Sequence, residues 1–378
     1  MSDPTIPFID LQAQRARLGD RIDRAIAGVL GHGQFIMGPE IGALERRLAD
    51  RAGVSYCVSC SSGTDALLLV LMAWGTGPGD GVIVPAMTFA ATAEVVSITG
   101  ATPVFCDVHA DTYNLDPAKL EAAITAGRDA GLNVTAVIPV DLFGQPADYP
   151  AIEAIASAHG LKVLADGAQS FGGILHDRAV GAWGDATAVS FFPAKPLGCY
   201  GDGGAVLTDN QELAERLISL RVHGQGGNKY DNVRVGLNAR LDTLQAAILL
   251  AKLEIFSEEL DARQAVAGRY TMALDNRVTT PSVIPGAVSA WAQYTIRLGE
   301  RDAVRRHLAA AGIPTAVYYP AALCDQPAYA ACPRPAGGTP VAVSLADEVL
   351  SLPMHPYLAP DTQERILSAC ADAIPDPA

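Results

Sequence analysis

Charged residues are scarce in this chain, and basic residues are scarcer than acidic ones. Asp, Glu, Lys and Arg make up 18% of the 378 residues, and 27 basic against 41 acidic side chains give a formal net charge of -14. Such a surface repels a polyanion, so the composition argues against nucleic-acid binding. A small anionic ligand would need a local group of cations.

Long apolar runs are also missing. No segment approaches the ~20 residues that a helix needs to span a bilayer. The first residues, "MSDPTIPFIDLQ", lack the charged and apolar parts of a signal peptide. We therefore expect a cytoplasmic protein without a membrane partner. The seven cysteines lie mostly in apolar segments, as reduced thiols do.

Several common motifs are absent as well. The chain contains no G-x-x-x-x-G-K-[ST], no H-E-x-x-H, and no G-x-G-x-x-G that joins a strand to a helix. Cys57 and Cys60 form a C-x-x-C that no second pair follows. Asp107, His109 and Asp111 alternate at one strand end and could in principle hold a metal, although polar residues are ordinary there. We predict no metal site.

The apolar pattern predicts an α/β fold. Between residues 54 and 208, short apolar runs alternate with helix-length stretches, which indicates a mostly parallel sheet covered on both faces. The predicted strands are "VSYCVS", "GVIVP", "TPVFCDV", "VTAVIPV", "LKVLAD", "ATAVSFF" and "GGAVLTD". In such sheets, ligands bind beyond the carboxyl ends of the strands.

The length of the chain predicts two domains, because 378 residues exceed the size at which one hydrophobic core usually stops growing. The stretch "RLDTLQAAILLAKLEIFSEELDARQAVAGRYTMAL" is apolar at helical spacing and too long for an ordinary helix within one domain. We expect this helix to link a large domain, residues 1–255, to a smaller α+β domain, residues 256–378.

Three segments carry candidate chemistry at predicted strand ends. In "SCSSGTDALLL", a helix follows a strand after Gly63, and its free amides and dipole suit a phosphate. The same pattern is also an ordinary serine-capped helix start. Asp166 ends an apolar strand, where a buried carboxylate needs a cation or a strong donor; it could equally form a turn.

Lys195 is the third candidate, within "SFFPAKPLGCYGDGG". Pro193 and Pro196 stiffen its backbone, and its neighbours are mostly apolar. A desolvated lysine has a lowered pKa and becomes a nucleophile, whereas a surface lysine in a loop would be inert. The apolar neighbours favour the first interpretation.

A basic stretch, "RVHGQGGNKYDNVRVGLNARLD", supplies the local cations that an anionic ligand would need. It contains Arg221, His223, Lys229, Arg234 and Arg240 in an otherwise acidic chain. A solvated loop that carries these charges by chance is the alternative, and composition does not separate the two.

A phosphate site, a strand-end aspartate and an apolar-flanked lysine are the parts that hold pyridoxal phosphate. The chain resembles the DegT/StrS-type nucleotide-sugar aminotransferases over nearly its whole length, and most of all those that aminate a UDP-2-acetamido-3-oxo-glucuronate. The matching segments are "GQFIMGPEIGALE", "SCSSGTDALLL", "PAMTFAATAEV", "DLFGQPADY", "FFPAKPLGCYGDGG", "GLNARLDTLQAAIL", "YYPAALCDQPAY" and "LSLPMHPYL".

The resemblance implies a role for each matching residue. Lys195 corresponds to the lysine bound to pyridoxal phosphate, and Asp166 to the acid that pairs with its pyridine nitrogen. The other implied cofactor contacts are Gly63, Thr64 and Ser190 at the phosphate, Phe89 and Gln169 at the ring, and Asn238 reaching the neighbouring subunit's cofactor. Arg240 and Tyr319 are expected to bind substrate.

The resemblance also implies a fold-type-I aspartate-aminotransferase architecture with a mostly parallel seven-stranded sheet. It implies a homodimer with shared active sites that moves an amino group, probably from L-glutamate, to a keto-sugar on UDP or dTDP for glycoconjugate biosynthesis. Two rivals remain: a dehydratase, in which histidine replaces Lys195, and a regulatory protein that binds the cofactor or sugar without turnover.

Two positions depart from the family pattern. Cys324 stands where many relatives have histidine, and this change bears on sugar specificity because the segment borders the substrate site in the family. Gly167 replaces the usual alanine after Asp166, which adds only flexibility there.

Overall fold

The computed structural model describes residues 6–228 and 230–374. Its helices are α1 Leu11–Leu18, α2 Arg21–His32, α3 Pro39–Ala52, α4 Gly63–Trp74, α5 Ala91–Ile98, α6 Pro117–Asp129, α7 Tyr149–His159, α8 Gln211–Leu220, α9 Thr243–Leu253, α10 Phe256–Leu274, α11 Arg301–Ala310, α12 Pro340–Glu348 and α13 Pro360–Ala373. Short 3-10 turns lie at Leu142–Gly144 and Leu323–Asp325.

The strands are β1 Tyr56–Cys60, β2 Asp80–Pro85, β3 Thr102–Cys106, β4 Asn133–Val137, β5 Lys162–Asp166, β6 Ile174–Leu175, β7 Arg178–Ala179, β8 Ala186–Ser190, β9 Gly204–Thr208, β10 Ala287–Val288, β11 Tyr294–Arg297 and β12 Val349–Leu352. Seven of them form one sheet in the order β1-β9-β8-β5-β4-β2-β3. These seven coincide with the seven predicted apolar runs.

The sheet is mostly parallel, as predicted. From β8 through β5, β4 and β2 to β3, every neighbouring pair is parallel, and only β9 runs antiparallel to its neighbours β1 and β8. Helices cover both faces, so the strands are buried on both sides and their sequences are continuous apolar runs rather than alternating ones. The predicted α/β fold class is confirmed.

Apolar cores lie on both faces of the sheet and in the C-terminal part. One large cluster joins α4, α5 and α8 to the sheet, and others join α6 and α7 or α3 and α9 to it. A separate cluster joins α10, α11 and α13 to the β11–β12 pair. The division at residue 255 remains a prediction.

The predicted single long helix is wrong. It breaks at Ile255, whose φ of -111° and ψ of 0° leave the helical region, so that α9 ends at Leu253 and α10 begins at Phe256. The break lets Ile248 and Ile255 pack against α1 and α2, while Val266 and its neighbours on α10 enter the C-terminal core. Helical periodicity in the sequence does not reveal a one-residue break of this kind.

Among the described helices, none has both the length and the apolar character needed to cross a membrane.

Candidate active site

A cavity of about 440 Å³ opens where β1, β5 and β8 end. Because these strands are parallel in direction, their carboxyl ends meet at one edge of the sheet. The cavity is lined by eight of the ten predicted site residues: Gly63, Thr64, Phe89, Asp166, Gln169, Ser190, Lys195 and Tyr319.

Asp166, the last residue of β5, is buried at this edge and only 5% exposed. Its Oδ2 accepts a hydrogen bond from the Thr92 hydroxyl at 2.9 Å, and its Oδ1 accepts one from the Ala168 amide at 3.2 Å. Burial raises the pKa of this carboxyl, while these two donors and the Lys195 ammonium lower it. The net effect is a raised pKa, so a cation in the cavity would favour the charged form of Asp166.

Lys195 lies in the loop between β8 and β9 and faces the same cavity. Its backbone amide donates to the Phe192 carbonyl at 2.9 Å, which holds the turn that carries it. Burial lowers the pKa of the Lys195 amine, and the nearby Asp166 carboxylate acts in the opposite direction. A lowered pKa makes the neutral, nucleophilic amine more abundant near neutral pH. The surface-lysine alternative therefore loses its support.

The N-terminus of α4 forms one wall of the cavity. The Ser62 side chain caps the helix by accepting from the Asp65 amide at 3.0 Å, and the helical bonds begin with the Ala66 amide. The amides of Gly63 and Thr64 come before this ladder and have no partner within the helix. The sequence left a capped helix start and a phosphate site as alternatives, and this geometry is compatible with both at once.

Gly63 permits the close approach of Ser190 to this helix end. A Cβ added at Gly63 would lie 2.6 Å from the Ser190 Cβ, closer than real side-chain contacts come. The Ser190 hydroxyl, at the end of β8, thereby lies beside the first amides of α4. Backbone amides and a hydroxyl around one open space are suitable partners for phosphate oxygens.

Aromatic and amide groups line the remaining walls. The rings of Phe89 and Tyr319 lie 6.2 Å apart between centroids, and Phe89 is 57% exposed. The Gln169 Oε1 accepts from the Phe143 amide at 2.8 Å, so this side chain is held against the cavity. Burial raises the pKa of Tyr319 above its ordinary value, which keeps its hydroxyl neutral.

Asn238 and Arg240 do not line this cavity. They line a neighbouring depression together with Ser61, Asp242 and Gln245, and Asp202 borders both spaces. The Arg240 Nε is buried without a hydrogen-bond partner in the described chain. Their predicted role at another subunit's site stays a prediction.

The described arginines of the basic stretch lie in different surroundings and do not form one cluster. Arg221 is buried and pairs with Glu45 at 2.5 Å, so it is a structural residue rather than a ligand group. Arg234 borders a different surface depression beside Glu212 and Glu215. Lys229 lies outside the described residues. Among the described arginines of this stretch, Arg240 lies next to the candidate site.

Sequence reasoning missed several residues at the site. Thr92, Gln293 and Tyr318 line the cavity without having been singled out. Thr92 lies within the quoted segment "PAMTFAATAEV", but only the tertiary structure shows that its hydroxyl faces Asp166. Gln293 immediately precedes β11 and is distant in sequence from most of the site.

Cys324, in the segment that borders the substrate site in the family, does not line this cavity. It is 1% exposed, and its Sγ lies 3.1 Å from the Thr339 hydroxyl. Any effect of this residue on sugar specificity must therefore pass through the packing of its segment.

Asp107 is the buried residue among Asp107, His109 and Asp111, and its carboxylate has a structural role. The Asp107 carboxylate accepts from the amides of Val341 and Ala342 at the start of α12. Within residues 6–228 and 230–374, no group of three or more His, Cys, Asp or Glu residues has a geometry that could hold a metal ion.

Comparison with known proteins places this chain in a family. Residues 16–371 match the model of the DegT/DnrJ/EryC1/StrS aminotransferase family. A UDP-2-acetamido-2-deoxy-3-oxo-D-glucuronate aminotransferase from Pseudomonas aeruginosa is 51% identical, over 93% of this chain and 96% of that protein. A UDP-N-acetyl-3-dehydro-alpha-D-glucosamine 3-aminotransferase from Acidithiobacillus ferrooxidans is 44% identical, over 96% of each.

Solved structures also resemble this chain over most of its length. A DegT DnrJ EryC1 StrS aminotransferase from Brucella abortus superimposes with a TM-score of 0.96 at 49% identity, covering 97% of this chain and 99% of the other. NtdA from Bacillus subtilis, solved with bound cofactor PMP, gives a TM-score of 0.86 at 30% identity, covering 98% and 84%.

Proposed function

Because this chain belongs to the DegT/DnrJ/EryC1/StrS aminotransferase family, we propose that it uses pyridoxal phosphate to move an amino group from L-glutamate to a nucleotide-linked keto-sugar. The observation that carries this proposal is that Lys195 and Asp166 face one cavity at the N-terminus of α4. The rival dehydratase would need histidine at position 195.

The residues of the cavity fit this cofactor. The first amides of α4 and the Ser190 hydroxyl suit its phosphate, and Gly63 leaves the space that a side chain would fill. Phe89 offers a flat apolar surface for the ring. When bound, pyridoxal phosphate supplies an aldehyde that carries the amino group and a ring that accepts electrons released at the donor's α-carbon.

Asp166 is the residue that would pair with the ring nitrogen of the cofactor. The hydrogen bonds from Thr92 and Ala168 hold both carboxylate oxygens in place, so the group need not reorient when a cation arrives. A cation beside a buried carboxylate lowers that carboxyl's pKa, because it compensates the cost of burial. Asp166 would thus stabilise a proton on the ring nitrogen of a bound cofactor.

Lys195 is the proposed catalytic base and acid. With its pKa lowered by burial, the Nζ atom could take a proton from the donor's α-carbon and release it to the bound cofactor within the same half-reaction. In the second half-reaction it would move a proton in the opposite direction, onto the sugar carbon that receives the amino group. The Phe192 carbonyl and the flanking prolines limit the freedom of the loop, which keeps the amine in range of the reacting atom.

For the acceptor, we propose the 3-oxo carbon of a UDP-linked 2-acetamido sugar. Support comes from the two relatives named above, which are a 3-oxo-glucuronate and a 3-dehydro-glucosamine aminotransferase. They differ in whether the sugar carries a carboxylate. Other UDP- or dTDP-keto-sugars are the alternative.

We further propose that the enzyme is a homodimer in which Asn238 and Arg240 complete the partner's site. Their depression adjoins the cavity through Asp202, and Arg240 has an unpaired buried Nε that an anion could use. A cytoplasmic location remains part of this proposal.

The central test replaces Lys195 with alanine. Loss of positioned acid–base catalysis alone is worth about a hundred- to ten-thousand-fold, so Lys195→Ala should abolish transamination while leaving the unfolding transition intact. The wild type is assayed with L-glutamate against UDP- and dTDP-keto-sugars. Normal turnover by Lys195→Ala would refute the assignment, and a wild-type protein that binds the cofactor without turnover would favour a regulatory role.

A further inference from the structure

Lys252 is a buried lysine for which the proposed function has no role. It lies near the end of α9, and its exposed fraction is 0%. A buried ammonium is costly unless polar groups meet it. The groups around the Lys252 ammonium therefore indicate its role.

The groups that meet Lys252 belong to the loop that carries Lys195. The Lys252 Nζ donates to the Gly198 carbonyl at 2.6 Å and lies 4.2 Å from the centroid of the Tyr200 ring. Gln245, two turns earlier on the same helix, accepts from the Tyr200 amide at 2.8 Å. Helix α9 thus holds the loop at two places within five residues of Lys195.

The loop is closely packed, so the hydrogen bond from Lys252 to the Gly198 carbonyl can affect the position of Lys195. A Cβ added at Gly198 would lie 2.5 Å from the Pro193 carbonyl oxygen, so the two arms of the loop touch on either side of Lys195. The Cys199 amide also donates to the Phe191 carbonyl at 2.8 Å. A shift of the Gly198 peptide would therefore be transmitted to the turn at Lys195.

A buried carboxylate of α10, Glu259, acts on the charge of Lys252. Burial lowers the pKa of Lys252 to about 8, and Glu259 acts in the opposite direction. Glu259 is itself buried and accepts from Gln14 of α1 at 2.8 Å and from the Tyr357 hydroxyl at 2.5 Å. This carboxylate favours the charged form of Lys252 from an element outside the loop.

We propose that Lys252 is a positioning residue for the transamination. Through its hydrogen bond to the Gly198 carbonyl, it fixes the loop that presents the Lys195 amine to the cavity. This inference rests on the proposed function, since it assigns Lys252 an effect on the reacting amine.

The experiment compares Lys252→Met with the wild type by two measurements. Steady-state kinetics should show kcat falling about ten- to a hundred-fold, the effect of a displacement near 1 Å, with both KM values changed by less than about twofold because no substrate contact is removed. Competitive acetylation of the cofactor-free full chain, followed by mass spectrometry, should show the titration midpoint of Lys195 moving toward that of an exposed lysine.

Ile248→Ala is the matched control. Ile248 lies on the same helix and is buried in the cluster of Leu18, Ile22 and Ile255, without a hydrogen bond to the Gly198 peptide. This variant should lower stability while leaving kcat and the Lys195 midpoint near their wild-type values. If Ile248→Ala changes both as much as Lys252→Met does, the effect is general loosening and the proposal is wrong.

The remaining outcomes are also decisive. Normal kcat and an unchanged Lys195 midpoint in Lys252→Met overturn the proposal. If Lys252→Met does not fold, the same measurements are made on Lys252→Gln, and failure of both to fold makes Lys252 a general stabiliser instead. Lys195→Ala is assayed in parallel: activity there contradicts the proposed function itself, whereas an inactive Lys195→Ala beside a normal Lys252→Met contradicts only this inference.

Discussion

Replacing Gly63 by alanine tests the phosphate site directly. The added Cβ would lie 2.6 Å from the Ser190 Cβ and 3.2 Å from the Ser190 Cα, where ordinary contacts are 3.4–4 Å. The nearest atoms belong to the short, rigid part of Ser190 at the end of β8, so no flexible side chain can swing away. We expect Ser190 and the start of α4 to separate by about 1 Å.

The magnitude follows from the cost of overpacking. Inserting a methyl into a filled space costs about 1–3 kcal/mol. If the protein relaxes by separating Ser190 from the α4 amides, binding of the phosphate must pull them together again, and the cost appears in the affinity. At about 1.4 kcal/mol for each factor of ten, pyridoxal phosphate should bind roughly five- to 150-fold more weakly.

The assay is an absorbance titration of the cofactor-free protein with pyridoxal phosphate, combined with denaturant unfolding. Gly28→Ala is the control, because a Cβ at Gly28 in α2 meets no atom within 4 Å; it should leave the affinity unchanged and stabilise its helix by up to about 1 kcal/mol. If Gly63→Ala alters neither the Kd nor the free energy of unfolding, the close approach of Ser190 is not part of a phosphate site.

Three further substitutions test other parts of the structure. Asp166→Asn should leave the cofactor bound but slow both half-reactions about ten- to a hundred-fold, because a neutral amide no longer favours a protonated ring nitrogen; unchanged single-turnover rates would contradict this role. Arg240→Ala should raise the KM for the keto-sugar about ten- to a hundred-fold and spare the glutamate half-reaction. Equal losses with carboxylated and uncarboxylated sugars would assign Arg240 to the diphosphate, a loss confined to the glucuronate would assign it to the carboxylate, and no loss would exclude it. Arg221→Met should destabilise the protein by about 3 kcal/mol, because it leaves Glu45 without its buried partner. Denaturant unfolding should show that the double variant Arg221→Met/Glu45→Leu recovers part of this loss. A single variant as stable as the wild type would contradict the pairing.

The apolar runs predicted the large sheet well. Strands that are buried on both faces consist of continuous apolar residues bounded by turn formers, and all seven runs of this kind between residues 54 and 208 became strands of one sheet. The strand ends followed from the same pattern, so Asp166, Ser190 and Gly63 could be expected at one edge. This part of the fold depends on the local apolar pattern and on the general rules for how parallel sheets are buried and where their strands end.

The resemblance to a family, rather than residue chemistry alone, supplied the role of each candidate residue. Residue chemistry left Gly63, Asp166 and Lys195 each with an ordinary structural alternative. The family pattern joined them into one site, and the structure then placed eight of the ten predicted residues around a single cavity.

What the sequence by itself determined was therefore the layered α/β architecture, its strand ends and the identity of the central lysine and aspartate. Only the tertiary structure decided that Arg221 binds Glu45, that Thr92 holds Asp166, that Cys324 faces Thr339, and that Lys252 reaches the Gly198 carbonyl. The physical reason is the same in each case. Such contacts join residues of separate elements at single hydrogen-bond distances, and a periodic sequence pattern encodes which face of an element is buried but not which atom it meets.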